Sequence, residues 1–203
     1  MRPTDYSRWG ELGSYEPAWD WRAEAAARLR GTKRWICDLG CGGHQVLRKL
    51  LPPGIVYLPS DLFRWTEDTL TCDINRYRLP IPFLKMCDLC YILGVLEYVH
   101  DTTWLFRQLS FYVEGVVFSY NPVDFVPDGR DACGWVNALS MKELEDLLDN
   151  SNYRIAKIEQ FENGTVIFKL IARNFDKMRQ KERLILRNNF CIRSRGLKPL
   201  VRE

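Results

Sequence analysis

Apolar and polar positions along this chain follow two periods, and each change of period marks an element. Residues 16–30 (EPAWDWRAEAAARLR) are alanine-rich with apolar positions at helical spacing, which predicts a helix closed by Gly31. Arg34 to Asp38 reads as a short buried strand, and a glycine-rich turn follows over 39–43. A second helix is expected from His44 to Leu51, stopped by Pro52-Pro53-Gly54. Ile55 to Leu58 predicts a second strand ending near Asp61, and Thr69 to Cys72 a brief third ending at Asp73. The interval Asp73 to Lys85 carries Pro80 and Pro82 and is expected to hold little or no helix. Met86 to Leu93 is a continuous apolar run, the pattern of a central strand buried on both faces. Helical spacing returns over Thr103 to Tyr112, and Gly115 to Tyr120 reads as a fifth strand. Ser140, with Glu143 three residues on, opens a helix with a capping box that runs to about Leu148. Tyr153 to Gln160 and Thr165 to Ala172 are joined by Glu162-Asn163-Gly164, and Asn-Gly between apolar runs signals a hairpin.

Strands alternating with helices imply an α/β fold: a three-layer, Rossmann-like, doubly wound sheet, mostly parallel, with an antiparallel C-terminal hairpin strand. One domain is expected over 1–173, followed by a basic helical extension over 174–203. That extension holds nine Lys/Arg against three Asp/Glu, while the whole chain has a net charge of only +3, so the body is mildly acidic. Phe175, Met178, Ile185 and Leu186 are available for one face of an amphipathic helix there. A homodimer contact is one expectation for it; an anionic acceptor or a membrane surface is another. Nucleic acid is disfavoured, because no interleaved aromatic and basic platform is present. With 46% hydrophobic and 27% charged residues among 203, the composition fits a globular protein. No apolar run approaches the roughly 20 residues of a membrane span. Residues 1–13 lack the basic-then-apolar layout of a secretory signal. Seven cysteines, mostly in apolar stretches, point to a reducing compartment, so the expected location is cytoplasmic. Cys87-x-x-Cys90 falls inside the apolar run, with its two thiols expected on opposite faces of a strand as filler, and no metal is expected.

The sharpest chemistry lies in Asp38-Leu39-Gly40-Cys41-Gly42-Gly43-His44, between a strand and a helix. Glycines there let the backbone turn tightly and approach a ligand with no β-carbon in the way. The following helix start offers free N–H groups. A dinucleotide fingerprint needs a third glycine at position 45, which is Gln45, and a Walker loop needs a Gly-Lys-Ser/Thr ending that is missing. A nicotinamide oxidoreductase is therefore disfavoured, as it also is by the terminal hairpin.

The segment Asp38 to Gly43 resembles the first motif of class I S-adenosylmethionine (SAM)-dependent methyltransferases, departing from it at His44, where the last glycine would fall. Further similarities follow in that family's order. Asp61 stands where an acidic side chain accepts the ribose hydroxyls, with Leu62 after it. Cys72-Asp73-Ile74 resembles the third-strand segment whose Asp bonds the adenine amino group. Leu93-Gly94-Val95, continuing to Asp101, resembles the fourth motif beside the methionyl end. The resemblance covers about Trp35 to Ala172 and implies SAM as cofactor and S-adenosylhomocysteine (SAH) as product. The implied cofactor-binding residues are Asp38, Gly40, Cys41, Gly42, Gly43, Asp61, Leu62, Asp73, Ile74, Leu93, Gly94 and Val95. The layout is similar to small bacterial methyltransferases that modify sugars or secondary metabolites, so the expected acceptor is a small molecule or glycan. The alternative is a catalytically inactive protein of the same fold acting as a binding or scaffold subunit.

Ligands of such sheets sit beyond the carboxyl ends of the strands. Glu97, Tyr98 and His100 after the fourth strand are the candidate catalytic residues, and Tyr120, Asn121 and Asp124 follow the fifth. Tyr6, Trp9, Tyr15, Trp19 and Trp21 make the N-terminal region aromatic, suited to a lid over the cofactor mouth or to packing on the sheet.

Overall fold

The computed structural model describes residues 4–10, 16–175 and 182–190. Seven strands form one sheet: β1 (Trp35–Leu39), β2 (Val56–Asp61), β3 (Leu70–Thr71), β4 (Leu89–Ile92), β5 (Gly115–Tyr120), β6 (Tyr153–Gln160) and β7 (Val166–Ala172). Their order across the sheet is β3-β2-β1-β4-β5-β7-β6. The first five are mutually parallel; β7 runs antiparallel to both β5 and β6. The chain thus winds outward from β1 to β3, then restarts at β4 on the other side of β1. That reversal opens a crevice between β1 and β4 at the carboxyl ends.

Helices cover both faces: α1 (Tyr6–Trp9), α2 (Asp20–Arg28), α3 (Val46–Leu50), α4 (Ile81–Met86), α5 (Thr102–Tyr112) and α6 (Met141–Asp149), with a further helical stretch at 182–190. Because strand side chains alternate, the central strands feed two cores. Ile36, Leu89, Tyr91, Val117 and Ile167 meet Ala23, Ala25 and Ala26 of α2, whose small side chains let the helix lie close to the sheet. Their neighbours Cys37, Cys90, Ile92, Val116 and Phe168 build the other core with Leu105 and Phe106 of α5 and Leu144 of α6. Phe118 stacks on Phe168 there at 4.7 Å between ring centres. The α6 capping box is present: Ser140 accepts from the Glu143 N–H, and Glu143 accepts from the Ser140 N–H. The hairpin turns at Gly164, whose φ of +82° suits glycine.

Three sequence expectations change. The proline-bearing interval holds a 3-10 turn (Ile74–Arg76) and α4, because Pro82 falls in the first turn of α4, where a missing N–H costs nothing. The fourth strand is shorter than its apolar run: Met86 ends α4 and Cys87 follows as its C-cap. Cys87 and Cys90 therefore share one core, not opposite faces. All six described cysteines are free. Among the described residues, no helix is long and apolar enough to cross a membrane, and no cluster of three His, Cys, Asp or Glu is placed to hold a metal ion.

Residues 182–190 dock against the end of the sheet away from the crevice. Phe175, Leu186 and Phe190 pack on the core, whereas Ile185 is exposed; Met178 lies outside the described residues. Arg183 donates to the carbonyls of Lys85 and Tyr112, and Arg187 to that of Met86, so two arginines one turn apart satisfy carbonyls at the ends of α4 and α5. Arg187 also reaches Asp88 at 2.7 Å, and the other oxygen of Asp88 accepts the N–H groups of Arg34 and Trp35. Burial alone raises the Asp88 carboxyl, but Arg187 and these N–H groups outweigh it and hold it below its ordinary value. A depressed carboxyl stabilises the fold above its unfolded pKa and loses that contribution as pH falls through its folded value. Asp88→Asn is expected to cost about 1–3 kcal/mol at pH 7, read by urea unfolding. The gap from wild type should close in acid; a gap unchanged down to pH 2 would rule out the charge as its source.

Candidate functional site

The turn after β1 is shaped by three residues with positive φ: Gly40 (+84°), Gly42 (+63°) and Gln45 (+44°). At Gly40 the constraint is also spatial, since a Cβ there would sit 2.2 Å from Cγ2 of Val95, in the loop after β4. The two loops flanking the crevice therefore touch, and only glycine permits it. Gly40 and Cys41 donate their N–H groups to the Ser60 carbonyl at the end of β2, at 2.8 and 3.1 Å. Gln45 tolerates its left-handed backbone while its side chain donates to Thr66 Oγ1.

Two carboxyls are buried beside this turn. Asp61, at the end of β2, accepts the Gly42 N–H at 2.8 Å and the Phe63 N–H at 3.3 Å. Burial still raises its pKa, with the Gly42 bond opposing most strongly. Asp38, at the end of β1, accepts the Tyr57 hydroxyl at 2.6 Å. Burial pushes its carboxyl up to about 7; Tyr57 pulls it down and the charge of Asp61 adds to the rise. Asp38 thus changes charge near neutral pH, and a cation placed beside it would drive it to the carboxylate.

A cavity of about 270 Å³ lies over these groups. Its wall takes Asp38, Gly40, Cys41, Gly42 and Gly43 from the first loop and Asp61 and Leu62 from the second. Asp73 and Ile74 come from the third, and Leu93, Gly94 and Val95 from the fourth. All twelve residues that the family resemblance implied for the cofactor thus border one space. The sequence reading missed Arg22 of α2 and Asn75. Arg22 lies against Gly94, where a Cβ would fall 2.6 Å from its guanidinium, and 5.4 Å from the centre of the Trp19 ring. Asn75 joins three segments: its amide donates to Thr4 Oγ1 and the Tyr98 carbonyl, and its Oδ1 accepts the His100 N–H. No local motif marks either residue.

The N-terminal segment covers the mouth. Tyr6 donates to Asp73 Oδ2 at 2.8 Å, and Trp9 packs edge-on to Tyr98 with ring centres 4.6 Å apart. Trp9 and Trp19 line the cavity; Tyr15 lies outside the described residues.

The candidate catalytic residues separate. Glu97 is fully buried: Oε1 accepts the backbone and side-chain amides of Asn121 at 3.1 and 2.6 Å, while Oε2 has no partner. Burial raises its pKa, opposed first by its own backbone N–H and then by Arg22 and Asn121. Tyr98 lines the cavity, and its hydroxyl accepts from Trp135 Nε1 at 3.1 Å. Burial pushes that hydroxyl up to about 12. His100 lies off the cavity wall, because the 3-10 turn Leu96–Tyr98 and the bond to Asn75 fix the chain there. Tyr120 is spent on Asn137 and the Leu139 N–H, and Asp124 on the Met141 N–H.

No protein-family model and no curated protein matches the sequence. Solved structures are similar in fold. The PH0226 protein from Pyrococcus horikoshii OT3 is similar with a TM-score of 0.63 at 12% identity, over 83% of this chain and 96% of that one. A SAM-dependent methyltransferase from Aquifex aeolicus gives 0.58 at 12% identity, over 77% and 94%. CalO1, a methyltransferase in calicheamicin biosynthesis in its SAH-bound form, gives 0.55 at 14% identity, over 75% and 54%. The chain spans about half the length of CalO1. With this strand order, the antiparallel final hairpin and these likenesses, the chain has the class I SAM-dependent methyltransferase fold.

Proposed function

We propose that this chain is a SAM-dependent methyltransferase that moves the sulfonium methyl to a small-molecule or glycan acceptor. The observation that carries the reading is the convergence of two buried carboxyls and a glycine turn on one cavity at the sheet's switch point. Asp61 faces the ribose hydroxyls, since a carboxylate already holding two backbone N–H groups keeps lone pairs for further donors. Asp73, which accepts from Tyr6, takes the adenine amino group, with Ile74 and Leu62 as apolar walls beside the ring. Gly40 to Gly43 and Leu93 to Val95 bring backbone close to the methionyl part, where Asp38 meets the ammonium and Arg22 the carboxylate. The absence of β-carbons at Gly40 and Gly94 fits such a ligand, since a side chain at either would collide with the opposing wall.

When bound, SAM supplies a methyl on an already activated sulfur, so transfer is an in-line displacement that depends mainly on alignment. The protein's tasks are to position the cofactor and acceptor, exclude water and hold any proton the acceptor releases. Tyr98 lines the cavity, which supports the last of these roles for it, whereas Glu97 is buried and His100 lies off the cavity wall.

Calorimetric titration with SAH is expected to give micromolar affinity at one site per chain. No heat from folded, cofactor-free protein would favour the scaffold alternative. Asp61→Ala is expected to weaken SAH binding by about 1.5–3 kcal/mol, the scale of hydrogen bonds to a charged group; an unchanged dissociation constant removes Asp61 from the site. The raised carboxyl of Asp38 gives a pH signature. Below about 7 it is protonated in the free protein and must lose that proton to meet an ammonium, so SAH affinity should rise from pH 6 to pH 8. Asp38→Asn should flatten that rise, and a slope that survives the substitution would assign the proton to another group.

A further inference from the structure

Asp38 borders the cavity, but the side chain that anchors it does not. Tyr57, on β2, donates its hydroxyl to Asp38 Oδ2 at 2.6 Å, and no other described residue donates to that carboxyl. The sheet dictates the pairing. Asp38 is in register with Pro59 of the parallel neighbour β2, so Tyr57, two residues back, shares its face and lies within reach of a long aromatic side chain. The ring is steadied from outside: Arg48 of α3 lies on it, 5.6 Å from its centre. Arg48 is bonded in turn to Gln45 Oε1 at 2.9 Å and to Asp68 at 3.1 Å. A line of contacts thus runs from the loop after β2, through α3, to the side of Asp38 away from the cavity.

The surroundings leave Tyr57 as a donor only. Burial raises its phenol, and the charge of Asp38 raises it further, so the hydroxyl keeps its proton while Asp38 changes charge. The other titratable groups facing Asp38 are Asp61 on β2, Cys41 in the turn, Cys37 on β1, and Cys90 and Tyr91 on β4. Burial raises Cys41 and Tyr91, and Cys37 and Cys90, hydrogen-bonded to each other inside the sheet, are raised as well. These four stay neutral. Asp61 is the charge that remains, and it favours the protonated form of Asp38 just as burial does. Tyr57 is the contact that opposes both.

Resting on the reading of this cavity as a SAM site, we infer that Tyr57 is the positioning residue of Asp38: it holds Oδ2 and leaves Oδ1 to the ammonium of the ligand's amino-acid end. A protonated Asp38 offers an ammonium no charge, so loss of the Tyr57 hydroxyl is felt at that end of the ligand and nowhere else. Tyr57→Phe removes one oxygen from a half-buried side chain and keeps the ring under Arg48.

The full chain is tested with and without ligand. In the free protein, carbon-13 NMR of the Asp38 carboxyl gives its titration midpoint, which Tyr57→Phe should raise by about one pH unit, the scale of one lost hydrogen bond to a carboxylate. In calorimetric titrations the same shift should weaken SAH binding about fivefold at pH 7 and less than about twofold at pH 8.5. The second probe is 5′-methylthioadenosine, which keeps the nucleoside and the sulfur but has no amino-acid end. It should bind wild type and Tyr57→Phe alike at every pH. In an Asp38→Asn background, Tyr57→Phe should alter the binding of neither ligand. An Asp38 midpoint and an SAH profile that match wild type would overturn the inference. So would a loss that is equal at every pH, shared by methylthioadenosine or undiminished by Asp38→Asn, since each marks a merely structural role. A raised midpoint in a chain that binds neither probe would overturn the cofactor reading while the hold of Tyr57 on Asp38 stands, so the two failures are separable.

Discussion

The contact on which the rest of the site depends is the approach of Gly40 to Val95. A parallel sheet that reverses its strand order leaves two neighbouring strands whose connecting loops head in opposite directions. In most places such loops would diverge and leave a gap open to water. Here the loops after β1 and β4 are drawn together until there is no room for a single methyl group between them. Two backbone N–H groups tied to Ser60 hold one loop, and the Gly94 N–H bonded to Ser119 holds the other. The crevice that remains is narrow and floored by backbone, which is why carboxyls at the ends of β1 and β2 can be buried yet still border a cavity.

Burying two carboxyls near each other is costly, and the surroundings offset the cost differently for each. Asp61 receives backbone N–H groups, which cannot rotate away, so its geometry is fixed whether or not a ligand is present. Asp38 receives one mobile hydroxyl, and burial pushes its carboxyl up to about 7. The first is a rigid acceptor and the second a charge that a ligand can switch on. Arg22, also partly desolvated, adds a positive group a short way along the same wall. Ammonium and carboxylate of one ligand could thus be met by opposite charges already in place, with little reorganisation.

Much of this was legible in the sequence because it is tied to strand ends. Spacing from a strand fixes where the following few residues emerge, so Asp38, Asp61, Asp73 and Leu93 to Val95 reach one cavity for a reason that local pattern contains. The capping box at Ser140 and the Asn-Gly turn are local for the same reason. Other features depend on which distant segments meet. Arg22 matters only because α2 passes over Gly94, and Trp135 only because its loop returns to Tyr98. His100 reads as a proton carrier in the motif after β4, yet its place is set by Asn75, 25 residues earlier. The helix α4 was hidden by Pro80 and Pro82, which break helices in their interior but open them in their first turn.

The cover over the cavity has a kinetic meaning. Its contacts come from one short segment and include Thr4 with Asn75, Tyr6 with Asp73 and Arg76, and Trp9 with Tyr98. None is deep in the core, and each is worth on the order of 1 kcal/mol, so the segment can lift at a cost of a few kcal/mol without disturbing the sheet. Such openings occur in microseconds to milliseconds, the range in which product release often limits turnover. Tyr98 also borders a further cavity, lined in part by Asn121 and Trp135, so the same ring stands between the cover and that space. An occupant there would brace Tyr98 and with it Trp9, so that the cover lifts less often.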